Sequence, residues 1–275
     1  MVRDARSAAE REPLSLVALT REISPAITRC ELTHLARTPI DLDRARDEHA
    51  AYEATLRRIG CTVTRLPSGP EMADAVFIED TAVVLDEIAI IARPGADSRR
   101  TEVAAVGAAL RHHRPIAAIL APGTLDGGDV VRVGRTLYVG IGPRTNSGGA
   151  RQLRGLATPL GYSVEETPYQ GCLHLKTAVT PVADDLLLLN PDWVDQSRFA
   201  PRRTIAVDPA EPFAANALLI GSDVIYPAEF PRTRARLEAA GVRIHAVAAG
   251  ELAKAEGGVT CCSLVFRSAS TAGPD

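Results

Sequence analysis

Apolar residues along this chain fall in short runs broken by polar turns, and longer segments with helical spacing recur among them at regular intervals. Ala82 to Leu85 and Ile88 to Ala92 read as two short strands, Arg100 to His112 as a helical segment, and Pro115 to Leu120 as a third strand. The unit is strand, strand, helix, strand. It recurs as Val130 to Val133, Thr136 to Ile141, Asn146 to Leu160 and Tyr162 to Glu165. A third copy runs through Thr177 to Val182, Leu186 to Leu189, a weak helical turn at Trp193 to Phe199, and Thr204 to Val207. The fourth is Ala217 to Ile220, Val224 to Tyr226, Arg232 to Ala240 and Val242 to Val247. A fifth is split between the chain's ends, with Leu264 to Arg267 supplying one strand and Leu14 to Leu19, the helix Leu42 to Ile59 and Thr62 to Leu66 the rest.

Modules of this size cannot bury a core alone, so a regular repeat of them predicts a closed ring sealed by both termini. An ordinary open α/β sheet would alternate single strands with helices, whereas here the strands are paired before each helix. No polar linker divides the chain. Residues 14–268 are therefore expected as a single α/β domain, with 1–13 and 269–275 as flexible tails.

Composition narrows the function classes. The chain has 275 residues, 46% of them hydrophobic, which suffices for a sizeable core. A formal net charge of −3 gives no reason to expect nucleic acid or an anionic membrane as partner. No apolar run approaches the roughly 20 residues of a membrane span, and mixed charges from Arg3 to Glu12 leave no signal-peptide core. A cytoplasmic protein acting on a small molecule is expected, and a homodimer is compatible with the sequence. The five cysteines are odd in number and unpatterned, so neither a disulfide framework nor a structural metal is indicated.

Four clusters carry chemistry. Cys261 and Cys262 follow Gly257-Gly258 and open an apolar run, so strand alternation would turn Cys262 inward with Leu264 and Phe266 and leave Cys261 facing a ligand. The default for free cysteines is a pair of buried small hydrophobes. In the segment from Asp74 to Asp80, three carboxylates flank what reads as an apolar strand; solubility alone explains most acidic pairs, but acids facing the ring axis would hold a planar guanidinium through parallel hydrogen bonds. Asp126-Gly127-Gly128-Asp129 is good turn chemistry, and its two carboxylates lack the oxygen-ligand spacing of a calcium site. His174 stands at a strand entry after Gly171, where a lone histidine is usually structural. Equivalent module edges would nevertheless gather Asp80, Asp126, His174 and Cys261 around one cavity, which is the orienter, acid/base and nucleophile set of covalent catalysis.

Taken in order, Phe77-Ile78-Glu79-Asp80, Leu125-Asp126-Gly127-Gly128-Asp129, Leu173-His174-Leu175-Lys176 and Gly257-Gly258-Val259-Thr260-Cys261-Cys262-Ser263 resemble the motifs of the dimethylarginine dimethylaminohydrolase family, guanidine-modifying enzymes of the pentein superfamily. The resemblance spans Leu14 to Phe266 and also takes in Arg93-Pro94-Gly95, Ser98-Arg99-Arg100, Arg144-Thr145-Asn146 and Ala214-Ala215-Asn216. It implies a five-bladed α/β propeller of ββαβ modules around a central active-site cavity, and a cysteine-dependent hydrolase needing no cofactor and no metal. By the same resemblance Cys261 is the nucleophile, His174 the general acid/base and Asp126 its supporting carboxylate. Asp80, with Asp74 and Glu79, would hold the guanidinium and polar end groups, while Arg99 and Arg144 would clamp the substrate's carboxylate. Leu32 falls in the segment resembling a mobile lid, and the backbone near Ala255 would help bind the α-amino group.

The implied reaction converts free Nω-methylated arginine, monomethyl or asymmetric dimethyl, to citrulline and methylamine or dimethylamine. An arginine deiminase would use the same chemistry with ammonia leaving, but deiminases usually carry an acid two residues after the histidine, where this chain has Lys176. An amidinotransferase would pass the amidino group to an amine instead of water. A non-catalytic propeller that binds a partner would be expected to lack the thiol or the imidazole, and both are present.

Overall fold

The structure is a computed structural model and describes residues 14–268; the two expected tails lie outside the described residues. From β1 (Ser15–Arg21) the chain passes through α1 (Leu42–Arg58) to β2 (Cys61–Leu66). The first complete module holds β3 (Ala82–Val84), β4 (Ala89–Ile91), α2 (Val103–Leu110) and β5 (Ile116–Ala118). The second holds β6 (Val130–Val133), β7 (Thr136–Gly140), α3 (Ser147–Ala157) and β8 (Ser163–Thr167). In the third, a helical turn α4 (Leu175–Ala178) precedes β9 (Val179–Ala183) and β10 (Leu186–Leu189), and a 3-10 turn at Gln196–Phe199 leads to β11 (Arg203–Ala206). The fourth holds β12 (Leu218–Ile220), β13 (Asp223–Pro227), α5 (Pro231–Ala239) and β14 (Arg243–Val247), after which α6 (Gly250–Ala253) leads to β15 (Leu264–Ser268).

Every module makes a separate three-stranded sheet in which the first two strands pair antiparallel and the second and third pair parallel. The fifth sheet is the predicted composite. Leu19 pairs with Leu264 antiparallel and with Thr64 parallel, so the C-terminal strand completes the N-terminal blade. In four blades an α-helix supplies the crossover a parallel pair requires, and in the third the segment with the 3-10 turn Gln196–Phe199 does so.

What joins the blades is their apolar cores, each of which is shared by two neighbours. Leu19 and Phe266 of the composite blade pack with Ile91 and Leu110 of the first; Val83 and Leu85 pack with Leu137 and Leu153 of the second. Val131 and Tyr138 meet Leu187 and Phe199, Leu186 and Leu188 meet Val224 and Leu237, and Ile225 and Val247 return to Leu56 and Cys61 of the composite blade. This cycle of shared cores is the five-bladed arrangement expected from the repeat. No helix among the described residues is long and apolar enough to cross a membrane.

Local chemistry sets the boundaries. Asp41 caps α1 by accepting from the amides of Asp43 and Arg44, and Gly60, with φ of 97°, turns the chain back into β2. The helix expected over Arg100 to His112 is shorter, because the residues on either side of α2 are spent in turns. Two further expectations change. The segment from Asp74 to Asp80 is not a strand but a turn running into a 3-10 helix at Ile78–Thr81, and His174 opens α4 before β9 begins.

Gly127 sits where the first two blades come together, and a Cβ there would run into the carbonyl oxygens of Glu79 and Ala82. Gly127→Ala should therefore destabilise the protein by about 1–3 kcal/mol through forced backbone displacement. Chemical denaturation measures this directly, and an unchanged midpoint would contradict the packing described.

Candidate active site

All five blades send a segment to one end of the axis. The first contributes the 3-10 turn with Glu79 and Asp80, the second a 3-10 turn at Gly127–Asp129, the third His174, the fourth Asn216 and the fifth the turn of residues 257–262. Hydrogen bonds tie these segments together. Asn216 accepts from the Thr260 amide at 3.0 Å and donates to Thr260 Oγ1 at 3.0 Å and to the Lys176 carbonyl at 3.2 Å. The Glu79 amide donates to the Cys261 carbonyl at 3.1 Å, so the loops carrying the acid and the thiol are fixed to each other.

His174 is buried between carboxylates. Its Nε2 lies 3.1 Å from Asp126 Oδ2, and its Nδ1 lies 3.8 Å from Asp80 Oδ1. Burial alone would make the ring less basic, but Asp80, then Asp129 and Asp126, outweigh it and lift its pKa to about 9. At neutral pH it is an imidazolium, ready to give a proton. Burial opposes the charge on Asp80 too, yet His174 and Arg99 hold that carboxyl below its ordinary range. Asp126 is anchored by the Gly95 amide at 2.9 Å. Gly128 lets the acid and the ring approach, because a Cβ there would meet both the Asp80 carboxylate and the His174 imidazole. Asp80, Asp126 and His174 present ligating atoms within 4.8 Å of one another. The ion pairing and hydrogen bonds just described already account for that cluster.

The two cysteines separate, but by a turn and not by strand alternation, since both precede β15. Cys261 faces a small cavity with Asp80, His174, Arg144 and Phe77. Cys262 faces a different cavity, with Tyr52 and Val247, and joins their core instead of packing with Leu264 and Phe266. Burial, with Glu79 and Asp80 adding to it, pushes the Cys261 thiol up to about 12. The Gly258 amide points at its Sγ at 3.4 Å.

Of the other expected site residues, Asp74, Asp80, Arg99, Arg144 and Ala255 line the Cys261 cavity. Glu79 does not. It lines a different, larger cavity of about 380 Å³, and it is held by Lys176 Nζ at 2.5 Å and Thr260 Oγ1 at 2.7 Å. Leu32 also stays off the cavity wall and packs against the core around α1. Arg99 is already committed: it donates to Asp80 at 2.5 Å, Glu102 at 2.9 Å and the Phe77 carbonyl at 2.9 Å, which makes it the support of Asp80 more than a free clamp. Arg144 has only a long 3.5 Å contact to Thr33 Oγ1 among the described residues.

Glu31, Leu173 and Glu256 also line the cavity, and none was singled out from the sequence. Glu256 carried a readable sign, since it directly precedes Gly257-Gly258 in the thiol motif. The cavity measures about 20 Å³, room for about one water, so an amino acid can enter only if residues of its wall move apart.

A thiol raised this far is mostly protonated at neutral pH, and its thiolate fraction should climb about tenfold per pH unit. Iodoacetamide labelling of Cys261 in the free protein, followed by peptide mass, should thus keep accelerating from pH 7 through pH 10, and Cys261→Ser should remove that label. A plateau near pH 8.5, the ordinary thiol value, would contradict the environment described.

No family model matches the chain. A curated N(G),N(G)-dimethylarginine dimethylaminohydrolase of Streptomyces coelicolor is 38% identical over 251 residues, covering 91% of this chain and 96% of the relative. The protein of the same name from Pseudomonas aeruginosa is 35% identical over 236 residues, 85% of this chain and 92% of the relative. A solved structure of a cysteine-to-serine variant of the Pseudomonas aeruginosa enzyme complexed with citrulline superposes with a TM-score of 0.88 at 32% identity, covering 92% of this chain and all of the other. With sequence likeness and fold extending over nearly its whole length, the chain belongs to the dimethylarginine dimethylaminohydrolase family.

Proposed function

We propose that this protein hydrolyses free Nω-methylarginine, monomethyl or asymmetric dimethyl, to citrulline and methylamine or dimethylamine, as a cytoplasmic enzyme that requires no added cofactor. The observation that carries the reading is the meeting of the Cys261 thiol with the His174 imidazolium in one buried cavity walled by Asp80 and Arg144. Family membership selects the methylated substrate. Lys176, where a deiminase would usually carry an acid, neutralises Glu79 and supports the same choice.

The chemistry follows from the charges. A guanidinium entering beside Asp80 brings a positive charge to a thiol whose pKa is raised by burial and by two carboxylates, so its arrival favours release of the thiol proton to solvent, His174 being protonated already. The thiolate would add to the guanidinium carbon. His174, protonated at rest, would pass its proton to the departing amine and leave a thiouronium-type ester on Cys261. Now neutral, the ring would take a proton from water as the hydroxyl adds to that carbon; the C–S bond then breaks to give the ureido product and the thiol. Asp126 would keep the ring oriented through both steps and Asp80 would stabilise its charge. Arg144 would take the carboxylate, a contact that a peptide-embedded arginine cannot offer.

A product assay with methylated and unmethylated arginine, resolving citrulline, methylamines and ammonia, tests the reading. Citrulline with methylamine or dimethylamine should form from the methylated substrates and persist after metal chelation. Faster ammonia release from arginine would move the protein to the deiminases.

Arg144→Ala removes a contact made equally in ground and transition states, so it should raise KM about tenfold to a hundredfold with little change in kcat. Steady-state kinetics on Nω-methylarginine decides this; a fall confined to kcat would remove Arg144 from carboxylate binding.

A further inference from the structure

We infer that Asp129 is a positioning residue for His174, fixing the peptide that bears the imidazole and supplying negative charge that favours its protonated form. The inference rests on the reading of His174 as proton donor and adds a carboxylate that the mechanism above does not use. Asp126 and Asp129 belong to one turn, closed by the Asp129 amide donating to the Asp126 carbonyl at 3.0 Å. Both reach the same histidine. Asp126 meets the ring at Nε2, while Asp129 Oδ1 accepts at 3.0 Å from the Leu175 amide, the N–H of the peptide bond that follows His174. Asp129 does not line the thiol cavity, so it acts through the histidine and not on a substrate.

Two neighbours complete the cradle. The Tyr169 hydroxyl donates to the Leu173 carbonyl at 2.9 Å and the Cys172 thiol to the His174 carbonyl at 3.4 Å, so the peptides before and after the histidine are both held. Gly140 leaves room for this: a Cβ there would lie 2.6 Å from the Tyr169 ring, 2.9 Å from Leu175 Cβ and 3.0 Å from Asp129 Oδ1. If holding the Leu175 amide were the whole task, a neutral acceptor would serve without the cost of a buried charge. Asp129 is fully buried, and its Oδ2 has no hydrogen-bond partner among the described residues. Burial pushes its carboxyl up to about 6 against the pull of His174, so it is ionised over most of the range in which the ring is protonated. Facing the ring are Asp80 with Arg99 beside it, Asp126, and across the thiol cavity Arg144 and Cys261. Facing Asp129 are Tyr169 and Cys172, both pushed up by burial and uncharged at neutral pH, which leaves the imidazolium as the cation that balances it.

Asp129→Asn keeps an oxygen for the Leu175 amide and removes the charge, so pH dependence tests the inference. The His174 imidazole, observed by NMR in histidine-labelled protein and assigned by its loss in His174→Gln, should titrate about one pH unit lower in Asp129→Asn than in wild type. The alkaline limb of kcat/KM for methylamine release from Nω-methylarginine should move down with it. An unmoved titration and limb, as expected if Asp129 only holds a peptide in place, would overturn the inference. Wild type supplies a second reading that does not depend on the variant folding: the His174 signals should show a step near pH 6, where Asp129 gains its charge, below the ring's own near pH 9. Lack of that lower step would equally overturn the inference. Absence of methylamine release by wild type would overturn the functional reading, whereas an unmoved His174 titration in an enzyme that releases methylamine overturns the inference alone.

Discussion

Keeping the Asp80 carboxylate ionised inside the protein is the constraint on which the site depends. Taken out of water, that charge needs several partners, and the fold supplies them from separate places: the Arg99 guanidinium, the Gly128 amide and the His174 ring. Each partner is fixed in turn. Arg99 is held by Glu102 and two carbonyls, and His174 by Asp126. The result is a network in which moving one charge leaves another unpaired, so the imidazolium is positioned by electrostatics as firmly as by packing.

Such a network needs a scaffold that brings distant parts of the sequence together with little freedom. The ring provides it because each apolar core is half of one blade and half of the next, so no blade can shift without opening two cores. The loops at blade ends therefore inherit the rigidity of the cores beneath them. Asn216 illustrates this: it contributes no reacting group, yet it clasps the Thr260 backbone and hydroxyl and so places the fourth blade in direct control of the turn that bears the thiol.

The architecture was legible because strand pairs and helices repeat with a period that survives variation in each copy, and the composite blade followed once a ring had to close. The acid, histidine and thiol were legible as motifs at equivalent module edges. Side-chain direction was not. Glu79 and Asp80 are neighbours on a 3-10 turn, where consecutive side chains diverge by roughly a third of a revolution, and Asp80 meets the imidazole while Glu79 meets Lys176 beside a different cavity. Treating that segment as a strand hid the divergence. The cysteines failed in the opposite sense: the separation of Cys261 from Cys262 was read correctly, but from an alternation that a turn does not have. Glu256 escaped notice because its significance lies in three amides more than two hundred residues away in sequence, a relation no local pattern encodes.

The same electrostatics explain why a thiol kept protonated is an asset in this site. Glu79 and Asp80 both disfavour the thiolate, and the imidazolium that would favour it is already neutralised by flanking carboxylates. With no bound cation, Cys261 is thus a weak nucleophile in a nearly closed cavity. A guanidinium reverses the balance by adding positive charge next to the sulfur, whereas a neutral urea, the product, would add none. Substrate and product differ in the one property to which the thiol responds, so the cavity that activates the nucleophile for the first would relax it in the presence of the second. The acidic surroundings that make the resting thiol unreactive are then the same groups that let the site distinguish what it should attack from what it has finished making.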